Sequence, residues 1–420
     1  MELNNHTLKS GLIILFITAW SINISLHIPS FNRTHFKGDE MVYMSLSHSM
    51  GWDLSNYTVA NDKRFSKWGH AIYNQPLFHH GPVLPYVLKI GTLIHKPITA
   101  ALLFENLSMG LLFIHILVLY RRLSLSPAAQ IAGFFMVAFA PLLLFSTTRI
   151  HHDALAGIYI ACAFIAYIEA LEKKSLSWSL WSGFLFVVAL NLRLTGIISL
   201  PLIVLCQLYY LYFPHPGQAG SPPGYRTFRE NVFKLEHWKV FAIVALLVAT
   251  LGMQHFYRLL AAYGSIFPSV YDQPDPTSSW VQLIQTRTRG KNFINLILLI
   301  PLFIVFFLPQ TWNTIRNGLV SRDWGAFCAI STLYLLLVLF VFSYEEMRFF
   351  AAATPMLYSC FPWILVRAKP GLTPFYLCLI AVSLSLMLMA GYREVIVRPN
   401  QVFQIVPAID DLVPPLRKYW

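Results

Sequence analysis

Residues 154–171 read ALAGIYIACAFIAYIEAL, an apolar run that carries a single charge, Glu169. Apolar blocks of similar length recur along the chain of 420 residues, and each is close to the roughly 20 residues that a helix needs to cross a bilayer. The blocks do not alternate apolar and polar residues as the strands of a membrane barrel do. Because a chain in lipid must satisfy its backbone hydrogen bonds internally, each block is predicted to be a transmembrane helix.

The composition predicts the same fold class, an all-α integral membrane protein. Hydrophobic residues make up 56% of the chain and charged residues 12%, whereas soluble domains carry about 25% charged residues. The net charge is +12, but the basic residues are spread over many loops, which is typical of membrane topology and contact with anionic headgroups. We therefore predict membrane lipids as partners and no nucleic acid. The five cysteines lie in apolar blocks without metal-binding or redox spacing.

The apolar blocks predict a bundle of about eleven transmembrane helices. The first block, Leu12–Ile28, is expected to remain as a signal anchor because no small-residue cleavage site follows it. Further spans are predicted to begin near Ile98, Ala128, Ala154, Trp178, Ile197, Val240, Leu296, Ala326, Phe349 and Pro374.

The charged residues orient this bundle. With a cytoplasmic N-terminus the inner loops are short and basic, as the positive-inside rule requires, and the outer loops hold most of the acids. The first outer loop then covers about residues 29–96 and the second about 257–292, within a transmembrane domain of residues 1–391. A short extracytoplasmic tail, residues 392–420, completes the chain. In the first loop, residues 40–52 suit a helix that lies in the membrane interface.

Three acids are the candidates for catalysis. Asp39 and Glu40 follow the first span and stand at the membrane surface, where a lipid headgroup and a water-soluble acceptor meet. One of these carboxylates is suited to act as a general base on an acceptor hydroxyl, and the alternative is a pair of acids that the helix dipole favours at an N-terminus. Asp153 opens the fourth span, where a charge is costly unless it is exposed, paired or functional. Its alternative role is that of an N-cap.

Two groups of residues are candidates for binding an anionic substrate. His79 and His80 lie in a segment rich in aromatic and turn residues, and their rings either donate to phosphate or sit at the headgroup level. Arg193, and Arg348 close to Glu345, are suited to planar recognition of phosphate or to structural ion pairs. The scattered histidines lack the spacing of a zinc site, so no residue is named as a metal ligand.

These features together resemble the GT-C superfamily of membrane glycosyltransferases. The shared pattern is a first outer loop with Asp39-Glu40 and Tyr43, then a His/Pro-rich segment, then Asp153 at the fourth span. The element from Glu345 to Pro355 is similar to a late-span motif of the protein O-mannosyltransferase and aminoarabinose-transferase branch. The likeness in layout covers most of residues 1–390.

The resemblance implies that the chain takes a sugar from a polyprenyl-phosphate donor and passes it, with inversion, to a hydroxyl on the extracytoplasmic face. It implies that Asp39 is the base or the acid that orients the acceptor, with Glu40 beside it and Asp153 as the second site acid. The substrate-binding residues expected on this basis are Tyr43, Lys67, His79, His80, Arg149, Arg193, Glu345 and Arg348.

The chain departs from the family pattern at one point. His80 and Gly81 stand where many relatives have a lysine and the first of two prolines. The expected lysine–phosphate contact must then come from another cation, and the candidates are Lys63, Arg64, Lys67, Arg193 and Arg348.

Several points stay open at this stage. A transporter or lipid flippase is the alternative function, with Glu105 and Glu169 along a path through the membrane, and a non-catalytic subunit of a cell-envelope complex is a third. The acceptor is a lipid, a glycan or a protein, and dependence on a divalent metal is left open. The expected location is a bacterial plasma membrane, or the endoplasmic reticulum membrane in a eukaryote.

Overall fold

The computed structural model of the chain describes residues 17, 18, 20, 21, 24, 39–66, 76–78, 80–138, 140, 143, 150–213, 225–264, 309–321, 325–341 and 351–368. In these ranges the protein is helical, and one isolated antiparallel bridge joins His80 to Arg193. The helices are α1 (Asp39–Ser49), α2 (Lys63–Ser66), α3 (Val83–Leu93), α4 (Pro97–Arg122), α5 (Pro127–Ala138), α6 (His152–Lys173), α7 (Leu176–Leu192), α8 (Ser199–Tyr212), α9 (Tyr225–Val232), α10 (Leu235–Leu247), α11 (Gln254–Tyr263), α12 (Pro309–Ser321), α13 (Gly325–Val341) and α14 (Thr354–Ala368). A 3₁₀ turn (Leu194–Ile198) precedes α8, and a π-helical turn (Val248–Gly252) follows α10.

Long apolar helices confirm the prediction of an integral membrane protein. Within the described ranges, α4, α6 and the run Leu235–Gly252 are long and apolar enough to cross a membrane. Several shorter apolar helices accompany them, and α4, α5, α6, α7 and α13 all begin within two residues of a predicted span start. The spans predicted near Leu296 and Pro374, most of Leu12–Ile28 and of the second outer loop, and the tail lie outside the described residues. The number of eleven spans therefore stays a prediction.

Helix α6 is the centre of the bundle. Every residue from His152 to Leu171 is buried, as expected for a helix that is apolar on all sides. Helices α4, α7, α8 and α14 pack around it. The approach of α14 is close because Gly157 faces the backbone of Ala352 with no room for a side chain.

A buried carboxylate ties α4 to the far end of α6. Arg122 Nε lies 2.8 Å from one oxygen of Glu169, and Lys173 Nζ lies 2.5 Å from the other. The side chain of Glu169 has no exposed surface, so the two cations compensate a charge that would otherwise be costly in the bundle. This ion-pair network is the role that the structure gives Glu169.

The first outer loop folds onto the bundle around α1. The predicted helix of residues 40–52 is present, but its inner face is buried, with Glu40, Val42, Tyr43 and Leu46 all shielded from solvent. Helix α1 packs against α3. The apolar side chains of the loop form a small cluster of their own that comprises Val42, Leu46, Met50, Tyr57, Val59, Phe65 and Leu77. The described part of this loop thus packs over one end of the bundle.

Candidate active site

Asp39 and Glu40 open α1 and face the start of α6. Both lie in the first turn of α1, where the helix dipole favours acids. Glu40 is buried, and its Oε1 accepts a hydrogen bond of 3.1 Å from the backbone N–H of Ile150. Asp39 keeps 23% of its side chain exposed, and its Oδ2 lies 3.6 Å from Nε2 of His151. The two neighbours therefore differ: Glu40 is held inside, while Asp39 reaches water.

His151 joins Asp39 to Asp153. Its Nδ1 lies 2.9 Å from Oδ2 of Asp153, and the two acids thus flank one imidazole ring. His151 is also the N-cap of α6, since its side chain accepts from the backbone N–H of Asp153. The alternative reading of Asp153 as the N-cap is therefore wrong by two residues.

Arg193 neutralises Asp153. The guanidinium forms an ion pair with Oδ1 of Asp153, and both side chains are almost fully buried. Arg193 is held there because it is extended between α7 and the 3₁₀ turn, where it bridges to His80. In a site of low effective dielectric such a pair interacts strongly, and the loss of either partner leaves a buried charge.

Three rings close the site on the side of the loop. The hydroxyl of Tyr43 makes a short hydrogen bond to the ring of His152, and the ring of Tyr43 meets His80 edge-on with centroids 5.3 Å apart. His80 and His152 are in edge contact at 5.9 Å. The backbone carbonyl of His80 accepts a hydrogen bond of 2.9 Å from Tyr57 Oη. The loop cluster thereby fixes the position of His80.

Glu105 is a site residue that sequence reasoning did not place there. It lies inside α4 with no exposed surface, and its Oε1 accepts a hydrogen bond of 3.3 Å from the backbone N–H of His151. Glu40 and Glu105 thus hold consecutive backbone amides, those of Ile150 and His151. The available signal was an acid in a transmembrane block, which marks a functional site by default.

His255 is a second residue found only in the structure. It is the second residue of α11 and is 1% exposed, and neither ring nitrogen has a hydrogen-bond partner. Burial, with smaller contributions from His80 and Arg258, lowers the pKa of His255 to about 3. The ring is therefore neutral at physiological pH.

Six of the predicted residues meet in this cluster: Asp39, Glu40, Tyr43, His80, Asp153 and Arg193. The other five, Lys67, His79, Arg149, Glu345 and Arg348, lie outside the described residues. Two of the other cations proposed for phosphate contact, Lys63 and Arg64, lie in α2, where Arg64 pairs with Asp62 at 2.5 Å. Within the part of the chain that the structure describes, no three His, Cys, Asp or Glu side chains are arranged to hold a metal ion.

The chain is similar to known proteins in part of its sequence and in its fold. Residues 79–223 match the family described as dolichyl-phosphate-mannose-protein mannosyltransferase. This stretch contains His80, Glu105, Asp153 and Arg193 and hence most of the cluster. No curated protein matches the chain in sequence.

Two solved structures have the same fold. ArnT from Cupriavidus metallidurans, bound to undecaprenyl phosphate, matches with a TM-score of 0.55 at 16% identity over 92% of this chain and 65% of that one. The oligosaccharyltransferase AglB from Archaeoglobus fulgidus, in complex with an inhibitory peptide and a dolichol-phosphate, matches with a TM-score of 0.51 at 14% identity over 97% of this chain and 54% of that one. The chain thus spans between half and two-thirds of the length of these proteins. The shared fold confirms the architecture that the resemblance implied.

Proposed function

We propose that this chain, a member of the GT-C superfamily of membrane glycosyltransferases, moves a sugar from a polyprenyl-phosphate donor to an acceptor hydroxyl. The observation that carries the proposal is the partly exposed carboxylate of Asp39 in this fold. It belongs to a cluster with two buried acids and two buried imidazole or guanidinium groups, which are Glu40, Asp153, His151 and Arg193. The reaction takes place on the extracytoplasmic face, and the configuration of the anomeric carbon inverts.

The class of donor is supported by what the related proteins bind. The matching family is named for dolichyl-phosphate-mannose, ArnT is bound to undecaprenyl phosphate, and AglB to a dolichol-phosphate. These compounds share a polyprenyl chain on a phosphate. A sugar on such a carrier is the donor proposed here.

Asp39 is the proposed base. Its carboxylate is the most exposed of the cluster acids, so an acceptor hydroxyl has access to it, while Glu40 and Asp153 are buried and already bonded within the protein. The leaving group is a phosphate, which is a weak base and departs without a strong acid. One carboxylate therefore suffices, unlike the two-carboxylate scheme of glycoside hydrolysis. Glu40 and Asp153 complete the catalytic set by fixing the loop at His151.

The cationic side of the site stabilises the charge that develops on the phosphate. Preorganised donors of this kind act most strongly in a site from which water is excluded. Arg193 and His80 are the proposed contacts among the described residues, with Lys67, His79, Arg149 and Arg348 as the further candidates. Tyr43 and Glu345 belong to the proposed binding set as orienting groups.

The proposed outer location rests on the charges at the two ends of α6. Asp153 lies at one end, and Lys173 with Arg122 lies at the other, about 30 Å away along the helix axis. The acidic end fits the outside and the basic end the cytoplasm by the positive-inside rule. A bacterial plasma membrane is the proposed location.

The test is a transfer assay with purified protein in lipid nanodiscs. A set of radiolabelled polyprenyl-phosphate sugars is incubated with membrane extract as the source of acceptor, and label that moves from donor to acceptor is counted. Asp39→Asn is expected to lower the rate about 10²-fold or more, the usual contribution of a general base.

Asp53→Asn is the matched control because Asp53 lies in the same loop, is exposed, and accepts hydrogen bonds from Ser55, which is not a member of the cluster. It is expected to transfer at the wild-type rate. A folded Asp39→Asn protein with unchanged rates would exclude the proposed base, and the absence of transfer by the wild type from every donor would exclude the proposed function.

A further inference from the structure

An apolar cavity lies far from the acid cluster. It has a volume of about 480 Å³ and is formed by α8, α12 and α13. Its walls are almost wholly apolar, and the lining residues include Phe213, Ile315, Leu319, Leu333 and Leu336. Because these walls are apolar and the cavity opens onto the surface of the bundle, water is not its expected occupant.

The position of the cavity is fixed by the end of α8. Tyr209 lines it and donates a hydrogen bond of 2.7 Å to the carbonyl of Leu319 in α12. The next residue, Tyr210, contacts Glu172 at the end of α6 that lies opposite Asp153. The cavity is therefore at the basic end of the bundle, about one bilayer thickness from the acid cluster.

The mouth of the cavity carries a positive charge. Arg316 and Trp312 are one turn apart on α12, both are exposed, and both line the cavity. Neither α12 nor α13 contains an acidic residue. Helix α12 also has a buried face with Thr311 and Ile315. A tryptophan and an arginine on an amphipathic helix are typical of the headgroup level of a membrane.

We propose that this cavity binds one acyl chain of an anionic phospholipid, with the lipid phosphate at Arg316. The phospholipid belongs to the leaflet at the basic end of the bundle, opposite to the leaflet at the acid cluster. Charge complementarity decides between the possible lipids. The end of a polyprenyl tail that reached across the bilayer would be uncharged and would have no use for Arg316, whereas a phospholipid brings its phosphate to that level. The lipid would join α12 to α8 and α13.

The test measures which lipid remains bound. Protein is reconstituted in nanodiscs that contain equal amounts of phosphatidylglycerol and phosphatidylcholine, and is then released into native mass spectrometry. The wild type is expected to retain one phosphatidylglycerol. Arg316→Gln is expected to lower its retention about fivefold, which corresponds to the loss of about 1 kcal/mol for one basic residue at an anionic surface.

Two further variants separate the cavity from the surface charge in general. Arg229→Gln removes another exposed arginine, on α9, and is expected to retain the lipid. Ala329→Phe fills the cavity from α13 and is expected to exclude both lipids.

The outcomes are distinct. Equal loss of lipid in Arg316→Gln and Arg229→Gln, or equal retention of the two lipids by the wild type, would overturn the proposal. Displacement of the bound phospholipid by added undecaprenyl phosphate would overturn it in favour of the polyprenyl tail. None of these results depends on transfer activity, so the proposal stands or falls separately from the proposed function.

Discussion

Replacement of Gly81 with alanine is expected to separate the first outer loop from Arg193. Gly81 follows His80, whose backbone bridges to Arg193. A Cβ built on Gly81 would collide with the carbonyl oxygens of Asn191 and Leu192. These atoms belong to the backbone at the end of α7 and cannot rotate away as a flexible side chain would. The added methyl group must therefore push apart the two segments that hold His80 and Arg193 together.

The size of the effect follows from this geometry. Forcing a methyl group into a closely packed site costs typically about 1–3 kcal/mol of stability. The rate should suffer more than the stability, because a displacement of about 1 Å in a catalytic group costs about 10²-fold. Asp153 depends on Arg193 for its neutralisation, so a shift of Arg193 also disturbs the His151–Asp39 contact beyond it.

Gly51→Ala provides the control within the same loop. The atoms nearest to a Cβ on Gly51 belong to the side chains of Ser55 and Asp53, which can move. Thermal unfolding in detergent and the transfer rate are measured for both variants. Gly81→Ala is expected to lose stability and about 10²-fold in rate, with little change in Gly51→Ala. A Gly81→Ala protein that melts and transfers like the wild type would refute the packing argument.

Two further predictions concern buried charge. Glu169→Gln leaves Arg122 and Lys173 without their shared partner. Because both cations are partly exposed and can rehydrate, we expect thermal unfolding to show a loss of about 1–2 kcal/mol of stability, while the rate of sugar transfer is retained. A variant that loses transport across the membrane without losing stability would instead favour the transporter. His255 has a pKa of about 3 in the folded chain, against an ordinary value of 6.5, so the unfolded chain binds more protons below pH 6.5. The free energy of unfolding should therefore fall as the pH drops below about 6.5, by about 2 kcal/mol at pH 5. Thermal unfolding between pH 7.5 and pH 5 measures this slope, which should be smaller in His255→Gln and would be unchanged if His255 were not the group.

The transmembrane helices were predictable because two local signals coincide. Helix α4 begins with Pro97, whose fixed φ suits the first helical position, and α7 begins after Ser175, whose hydroxyl accepts from the backbone N–H of Trp178. Each signal adjoins an apolar block, so the predicted starts are correct within two residues. Helix α10 begins earlier than predicted, at Leu235 and not near Val240, since its first turn carries charged residues that lower the hydropathy without breaking the helix.

The residues of the site could be predicted from the sequence more readily than the contacts between them. Asp39, Glu40 and Asp153 stood out because an acid at a membrane boundary is costly. Packing sets the contacts of the site. Glu40 accepts from the backbone N–H of Ile150, which is 110 residues away, and Glu105 accepts from that of His151, which is 46 residues away. No periodicity links positions that far apart. No sequence signal placed His151 in the site, because only the folded chain brings its ring between Asp39 and Asp153.

The two departures from the family pattern are coupled in the structure. A glycine at position 81 lets the loop backbone approach the end of α7, and that approach makes the bridge between His80 and Arg193. A cyclic side chain at this position would meet the same carbonyl oxygens as the methyl group of alanine. With glycine there, Arg193 lies beside the position where many relatives have lysine, and we propose that Arg193 makes the phosphate contact expected of that lysine. On this proposal the cation nearest the phosphate stands across the bridge, on Arg193, and not on residue 80.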